Sequence, residues 1–427
     1  MNINSTTKAI YSPSLPSRWM PVILGILTAV GPVSTDIYLP AFPQLEKGLH
    51  GLPGSAQFTL SVWFVGLAIG QITLGPLSDR FGRRGPMLIG TVIYTLSSIG
   101  CAMAPNIVVF SVFRFFASLG ASASLVVPSA AVRDIVRGNM ASKMMSQLVL
   151  IMGIVPILAP TLGGLVLHVT TWRAIFWASA VYGMVCIFMI WRVLPETLIV
   201  EKRVFLPISA FLGRYITLCK DRGFISHSVI SGFSAFVSFT YLSAAPAVFM
   251  HLFGLTPAQF GMMFGLFAVG MIGASQLNGM LVSRVGSRKL LSLSTFLAMV
   301  GTLILTILAI IVELEQIPLH GGVMIAFVVF LLLTLATTGM IGPNAMVGAL
   351  ANHPRFAGSA AAFIGTLQYV LGAVAGFIIG KLPVHSVIPM AVTMLLGSIA
   401  MVIAARLRPL NMDIDNDEEP ELGVISH

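Results

Sequence analysis

Charge is what this sequence has least of. Lys, Arg, Asp and Glu make up 9% of its 427 residues, and 56% are hydrophobic; a soluble domain carries about 25% charged residues. That excludes a soluble globular protein and places the chain in the membrane class. Cysteine is scarce as well. Cys101, Cys186 and Cys219 stand far apart with no CxxC or Cys/His spacing, which argues against a disulfide framework or a metal site. The 8 histidines are dispersed, and HExxH, GxSxG and P-loop patterns are missing. No enzyme and no cofactor is therefore expected. The basic residues behind the net charge of +9 are scattered between apolar runs rather than gathered in one patch. The partner they suit is the anionic surface of a lipid bilayer, not nucleic acid.

What the chain has instead is long apolar runs. Crossing the hydrocarbon core takes about 20 apolar residues per helix. Such runs fall at 19–43, 56–77, 86–104, 106–131, 144–168, 172–194, 224–250, 257–281, 289–312, 319–343, 357–380 and 384–406. Twelve crossings are expected, the first uncleaved although Lys8 and Arg18 precede it. With 41 Gly and 24 Pro among them, these helices should be closely packed and locally broken. Orientation follows from the basic residues. With the N-terminus cytoplasmic, inner loops and tails hold 20 Lys and Arg, among them Arg80, Arg83, Arg84, Arg137, Arg288 and Arg355. The outer loops hold only Lys47, Arg173 and Lys381. The positive-inside rule thus puts both termini in the cytoplasm.

The longest stretch between crossings lies near 195–222 and divides the chain into two halves of six helices. A repeat supports the division. "GLAIGQITLGPLSDRFGRR" aligns with "GMIGASQLNGMLVSRVGSR" at an offset of 204, pairing Gly66, Gly75, Arg80, Gly82 and Arg84 with Gly270, Gly279, Arg284, Gly286 and Arg288. A weaker match pairs Pro156, Pro160 and Gly164 with Gly372, Gly376 and Gly380. The expected organisation is a first bundle over 1–195, a cytoplasmic linker over 196–222, a second bundle over 223–408 and an acidic tail over 409–427. Two homologous halves of this kind suit a transporter that rocks about a central site.

"GPLSDRFGRR" makes the resemblance specific. Gly75, Leu77, Asp79, Arg80, Gly82, Arg83 and Arg84 resemble the loop 2–3 signature of the major facilitator superfamily, in the position that family uses. "STDIYLPAFP" (34–43), "RFFASLGASA" (114–123) and "ILAPTLGG" (157–164) resemble the twelve-span drug:proton antiporters, in particular the Bcr/CflA bicyclomycin-resistance group. Two departures are visible: Ala117 stands where a Gln is common, and Ala159 replaces a Gly. The resemblance implies an all-α polytopic protein of the bacterial inner membrane. It would be a monomer of two pseudo-symmetric six-helix bundles whose partners are a small-molecule substrate, protons and lipid. Asp79 is expected to cap the start of the eleventh span near 357–360, where a helix N-terminus favours an anion; the plainer reading is a solvated turn. The loop residues and Pro156, Pro160, Gly163 and Gly164 of the fifth span are the candidate conformational gate. Ordinary helix packing accounts for the fifth span's composition equally well.

Charge inside the membrane reaches the same place by another route. Fourteen of 15 carboxylates can be assigned to loops, helix ends or the tail; Asp36 alone lies within a span. An acidic group there costs about 2.5–3.5 kcal/mol on insertion scales, so it faces a wet cavity or has a partner. Desolvation favours a neutral acid and a nearby cation an ionised one. A carboxylate under both influences can bind a proton in one state and release it in another; the alternative is a structural hydrogen bond to a neighbouring helix. Arg114, the one basic residue deep in a span, is a fixed charge for proton coupling or an architectural donor to facing carbonyls. For substrate contact the candidates are Tyr38, Gln147, Tyr241, Asn344, Gln368 and Tyr369, each of which could equally be interhelical packing. The function expected is proton-coupled export of drugs or other small amphipathic compounds. A physiological metabolite as cargo, or a non-transporting sensor, are the alternatives.

Overall fold

A computed structural model describes residues 19–136, 138–203, 208–319, 321–351, 353, 356–382 and 385–409. Lys8, Arg18, Arg137, Arg355 and the acidic segment from 410 onward lie outside the described residues. The described residues are mostly helical, with no strand among them. In order come α1 (Met20–Asp36), α2 (Phe42–Gly48), α3 (Ser55–Phe81), α4 (Arg84–Met103), α5 (Ile107–Ile135), α6 (Gly138–Val169) and α7 (Trp172–Arg192). Then follow α8 (Ile208–Lys220), α9 (Arg222–Pro246), α10 (Pro257–Val285), α11 (Ser287–Leu314), α12 (Gly322–Leu350), α13 (Ala357–Lys381) and α14 (Ile388–Arg406).

Twelve of these segments are long and apolar enough to cross a membrane, with α1 and α2 together forming the first. An even number of crossings leaves both ends of the described chain on one face, called here the terminus face; the opposite one is the far face. Several helices outrun the apolar runs at the terminus face. The fourth, for example, continues to Ile135, because backbone hydrogen bonding does not stop where the hydrocarbon does.

The first seven helices pack into one bundle and α9–α14 into another, and the two meet along α3–α13 and α6–α10. The sequence repeat has a structural counterpart. Gly66 and Gly70 on α3 let Ser118 and Ser122 of α5 approach, and Gly270 on α10 does the same for Leu332 of α12. After α3 and α10 the chain turns through Gly82 and Gly286, at φ 94 and φ 83. That is a left-handed region glycine enters without a Cβ penalty. The 196–222 stretch is itself partly helical. In α8, Tyr215 and Leu218 are buried against Phe224 of α9 and Ala360 and Ile364 of α13. A hydrogen bond between Asp221 and His353, 2.7 Å, ties the start of α9 to the connection between α12 and α13.

Candidate functional site

The first crossing breaks at Asp36. A helix would pair the carbonyl of Asp36 with the N–H of residue 40, but residue 40 is proline and has none. The chain leaves α1 after Asp36, turns through a short 3-10 segment, Leu39–Ala41, and resumes as α2. Asp36 therefore sits at a helix C-terminus inside the membrane, where the helix dipole favours a cation. Broken helices of this kind mark binding sites in transporters.

Beside it lies a cavity of about 230 Å³ between the two bundles. Its wall takes Gly31, Pro32, Thr35 and Asp36 from α1, Phe64 and Leu67 from α3, Leu125 from α5, and Met152 and Pro156 from α6. The second bundle supplies Ser238, Phe239, Tyr241 and Leu242 from α9, Phe264, Phe267, Ala268 and Met271 from α10, Leu335 from α12 and Tyr369 from α13. Asp36 is the one charged residue in this wall. Among the described residues no hydrogen bond or ion pair engages its carboxyl group. Two aromatic groups face it. Tyr369 stacks with Phe64 and Phe239 at 6.1 Å between ring centres, and Tyr241 packs on Phe264 and Phe267 at 5.7 and 5.3 Å. The Tyr241 hydroxyl is buried with no hydrogen-bond partner among the described residues. Pockets for drug-sized ligands run to about 300–1,000 Å³. This cavity falls below that range.

Arg114 does not pair with Asp36. Its two terminal nitrogens donate to the carbonyl of Ser34 at 3.4 and 3.3 Å. Its guanidinium lies 4.0 Å from the ring of Trp63 and 4.2 Å from that of Tyr38. Ser34 belongs to the last turn of α1, whose carbonyls lose their helical partners at the break. Arg114 acts as a cationic cap on that turn. The same turn is held by Trp63 Nε1, which donates to Thr35 Oγ1 at 2.9 Å, and by Ser34 against Tyr94. Of the two readings the sequence left open, this geometry favours the architectural one. Arg114→Leu should strip charge-assisted bonds from the α1 terminus. The expected cost is about 2–3 kcal/mol, read as a lower melting temperature in detergent. Arg114→Lys should recover only part of it, since an ammonium cannot cover two ring faces.

The other expected contacts divide. Tyr241 and Tyr369 join Asp36 in the wall, while Tyr38, Gln147, Asn344 and Gln368 are not part of it. Tyr38 is fully buried with its hydroxyl 3.4 Å from Thr59. Asn344 donates to Asn278 and accepts from Ser287, holding α12 to α10 and α11. Gln368 donates to Ser231 at 2.8 Å, tying α13 to α9. The phenylalanines and Met152 and Met271 of the wall could not be singled out from 27 Phe and 23 Met.

The candidate gate residues also divide. At the far face the bundles are in contact. Gly54 lies against Gly380, and a Cβ on Gly164 would come within 2.6 Å of the Pro257 carbonyl oxygen; Gly163 lies against the Ile37 carbonyl of its own bundle. One turn nearer the cavity, Pro160 and Thr161 meet Gly261. Pro156 reaches the cavity wall itself. Toward the terminus face the seams continue at Ile272 against Gly153 and at Gln71 against Gly365, while a Cβ on Gly273 or Gly279 would meet nothing within 4 Å. On that face the loop 2–3 residues bond within their own half. Asp79, with 52% of its side chain exposed, accepts from Arg83 at 2.6 Å, and Arg83 also reaches Asp134 at 2.8 Å. Glu196 takes the backbone N–H groups of Arg83 and Arg84. Burial alone would lower the Arg83 pKa; the bonds and charges of Asp134 and Asp79 outweigh it and raise it. The expected cap of α13 by Asp79 is not formed, and the α13 start has no side-chain cap. Arg83, one turn away, takes the carboxylate instead.

Comparison with known proteins agrees with this architecture. Residues 24–377 match the sequence profile of the Major Facilitator Superfamily. The MFS-type transporter YdgK of Bacillus subtilis is 34% identical, over 88% of this chain and 93% of its own. The bicyclomycin resistance protein homolog of Haemophilus influenzae is 30% identical over 87% and 91%. Among solved structures, a D-xylose-proton symporter superposes with a TM-score of 0.68 at 17% identity, covering 90% of this chain and 95% of that one. At that identity the likeness is one of fold.

Proposed function

The chain belongs to the major facilitator superfamily and is a multi-pass transporter of the bacterial inner membrane, and from its site we propose that it exports drugs or similar small amphipathic compounds in exchange for protons. The observation that carries the reading is Asp36. It is the one charged group in the wall between the bundles, it stands at a helix break, and no side chain among those described neutralises it. A resistance protein among the relatives supports the cargo class.

The positive-inside rule places the terminus face in the cytoplasm. On this reading substrate reaches the cavity from the cytoplasm, and the contacts at Gly54, Gly164 and Gly261 close the far side. Export would run by alternating access: substrate enters from the cytoplasm, the far face opens, and Asp36 takes a proton there as substrate leaves. One carboxylate suggests one proton per cycle.

The test is a screen in everted membrane vesicles. Candidate drugs and metabolites are offered with an imposed pH gradient, then with a protonophore. The reading expects accumulation of at least one compound, abolished by the protonophore. Gradient-independent transport, or no transport of any compound by well-folded protein, would overturn it.

A further inference from the structure

The far gate has two seams of unlike chemistry. Along α6–α10 the contact is dry: Gly164 and Gly261 meet the backbone of Pro257 and Thr161. The Thr161 hydroxyl is satisfied within its own helix, on Ile157 at 3.2 Å. Along α3–α13 it is polar. Ser61 of α3 and Ser243 of α9 converge on Gly376 of α13, and the Gln57 side chain lies one turn on, against Gly380. A Cβ on Gly376 would lie 2.5 Å from Ser61 Oγ, 3.1 Å from Ser243 Oγ and 3.6 Å from the backbone carbonyl of Gln57.

Gln57 is 4% exposed and Ser243 0%. Gln57 Oε1 and Ser243 Oγ have no hydrogen-bond partner among the described residues. Each buried polar atom left unmet costs about 1–3 kcal/mol. Closing this seam is therefore opposed by its own chemistry. Residues 57, 61 and 64 share one face of a helix. The seam thus runs down α3 to Phe64, which packs on Phe239 at 4.2 Å and forms part of the wall that holds Asp36.

We propose that the α3–α9–α13 seam is the wet side of the far gate: water enters between Gln57, Ser61 and Ser243 as the gate loosens and brings protons from the far face to the aromatic wall beside Asp36, while the α6–α10 seam stays dry. The proposal rests on Asp36 as proton carrier. Its residues are positioning groups that act on Asp36 through water. The unmet groups give water two ready sites once the seam loosens. They also bias the transporter away from permanent closure of this face.

Two measurements test it. In a Cys219→Ser background, Ser243→Cys and Thr161→Cys place one thiol on each seam. A small water-soluble thiol reagent added from the far face should modify position 243 at least about tenfold faster. Separately, Gln57→Leu with Ser243→Ala removes both unmet groups. Proton-driven transport should fall several-fold, while melting temperature holds or rises and substrate affinity from the terminus face is unchanged. A structural role would instead lower the melting temperature. Equal labelling of the two seams, or a less stable double variant, overturns the proposal. Failure of the Asp36 reading shows differently: Asp36→Asn would keep proton-driven transport while the labelling difference persisted.

Discussion

Asp36→Asn should bring proton-driven export down to passive leak while the protein folds and inserts normally. Asparagine keeps the volume and can still hydrogen-bond, but it carries no titrating proton. Among the described residues no ion pair is broken by the change, so the melting temperature should move by no more than ~1 kcal/mol of equivalent stability. The energetic stake is large. A proton moving down a gradient of about one pH unit releases about 1.4 kcal/mol. A membrane potential of about 100 mV adds about 2.3 kcal/mol. One proton exchanged for a neutral compound therefore supports roughly a 500-fold concentration ratio. Removing the one titrating group in the wall removes all of it. Asp36→Glu should retain coupling at reduced rate, because the carboxyl group survives but sits one methylene further into the cavity. Transport is read in everted vesicles, and folding by gel filtration and thermal melting.

Gly164→Val should be nearly as damaging, for a steric reason. A Cβ at this position lies 2.6 Å from the Pro257 carbonyl oxygen and 2.9 Å from its carbonyl carbon. Both are backbone atoms, which cannot rotate aside. The α6–α10 seam must part, and the far face can no longer seal. A shift of about 2–3 kcal/mol against closure would reverse most two-state equilibria of this kind. The expected result is at least about a tenfold loss of transport, with far-face labelling of Thr161→Cys raised by a similar factor. Unchanged transport in a folded Gly164→Val protein would show that this seam does not gate.

Much of the fold was legible because a bilayer imposes long apolar helices. The twelve crossings, the two halves and the isolation of Asp36 and Arg114 all follow from that demand. The break at Asp36 was also present in the sequence, in the four-residue spacing to Pro40. It becomes visible only when the backbone partner of Asp36 is asked for. Other features depend on pairing between helices, which one chain's sequence does not encode locally. Asn344 and Gln368 read as pocket contacts or as interhelical packing, and they bond to Asn278 and Ser231 of their own bundle. A buried amide serving a neighbour and one serving a ligand have the same sequence signature. Arg114 reads as a fixed charge or as a donor to facing carbonyls, and which carbonyl it meets, that of Ser34, is set by the turn that ends at Asp36. The fate of Asp79 is likewise a matter of pairing: Arg83, four residues on, takes its carboxylate, and the α13 start is left without a side-chain cap.

The account stands most directly on one measurement: proton release on substrate binding. Purified protein in weakly buffered detergent solution is mixed with a transported compound while a pH indicator is followed. If Asp36 alternates between proton and substrate, wild-type protein should release up to one proton per substrate bound, and Asp36→Asn none while still binding. Equal release from both proteins, or binding without any release from the wild type across the accessible pH range, would contradict it.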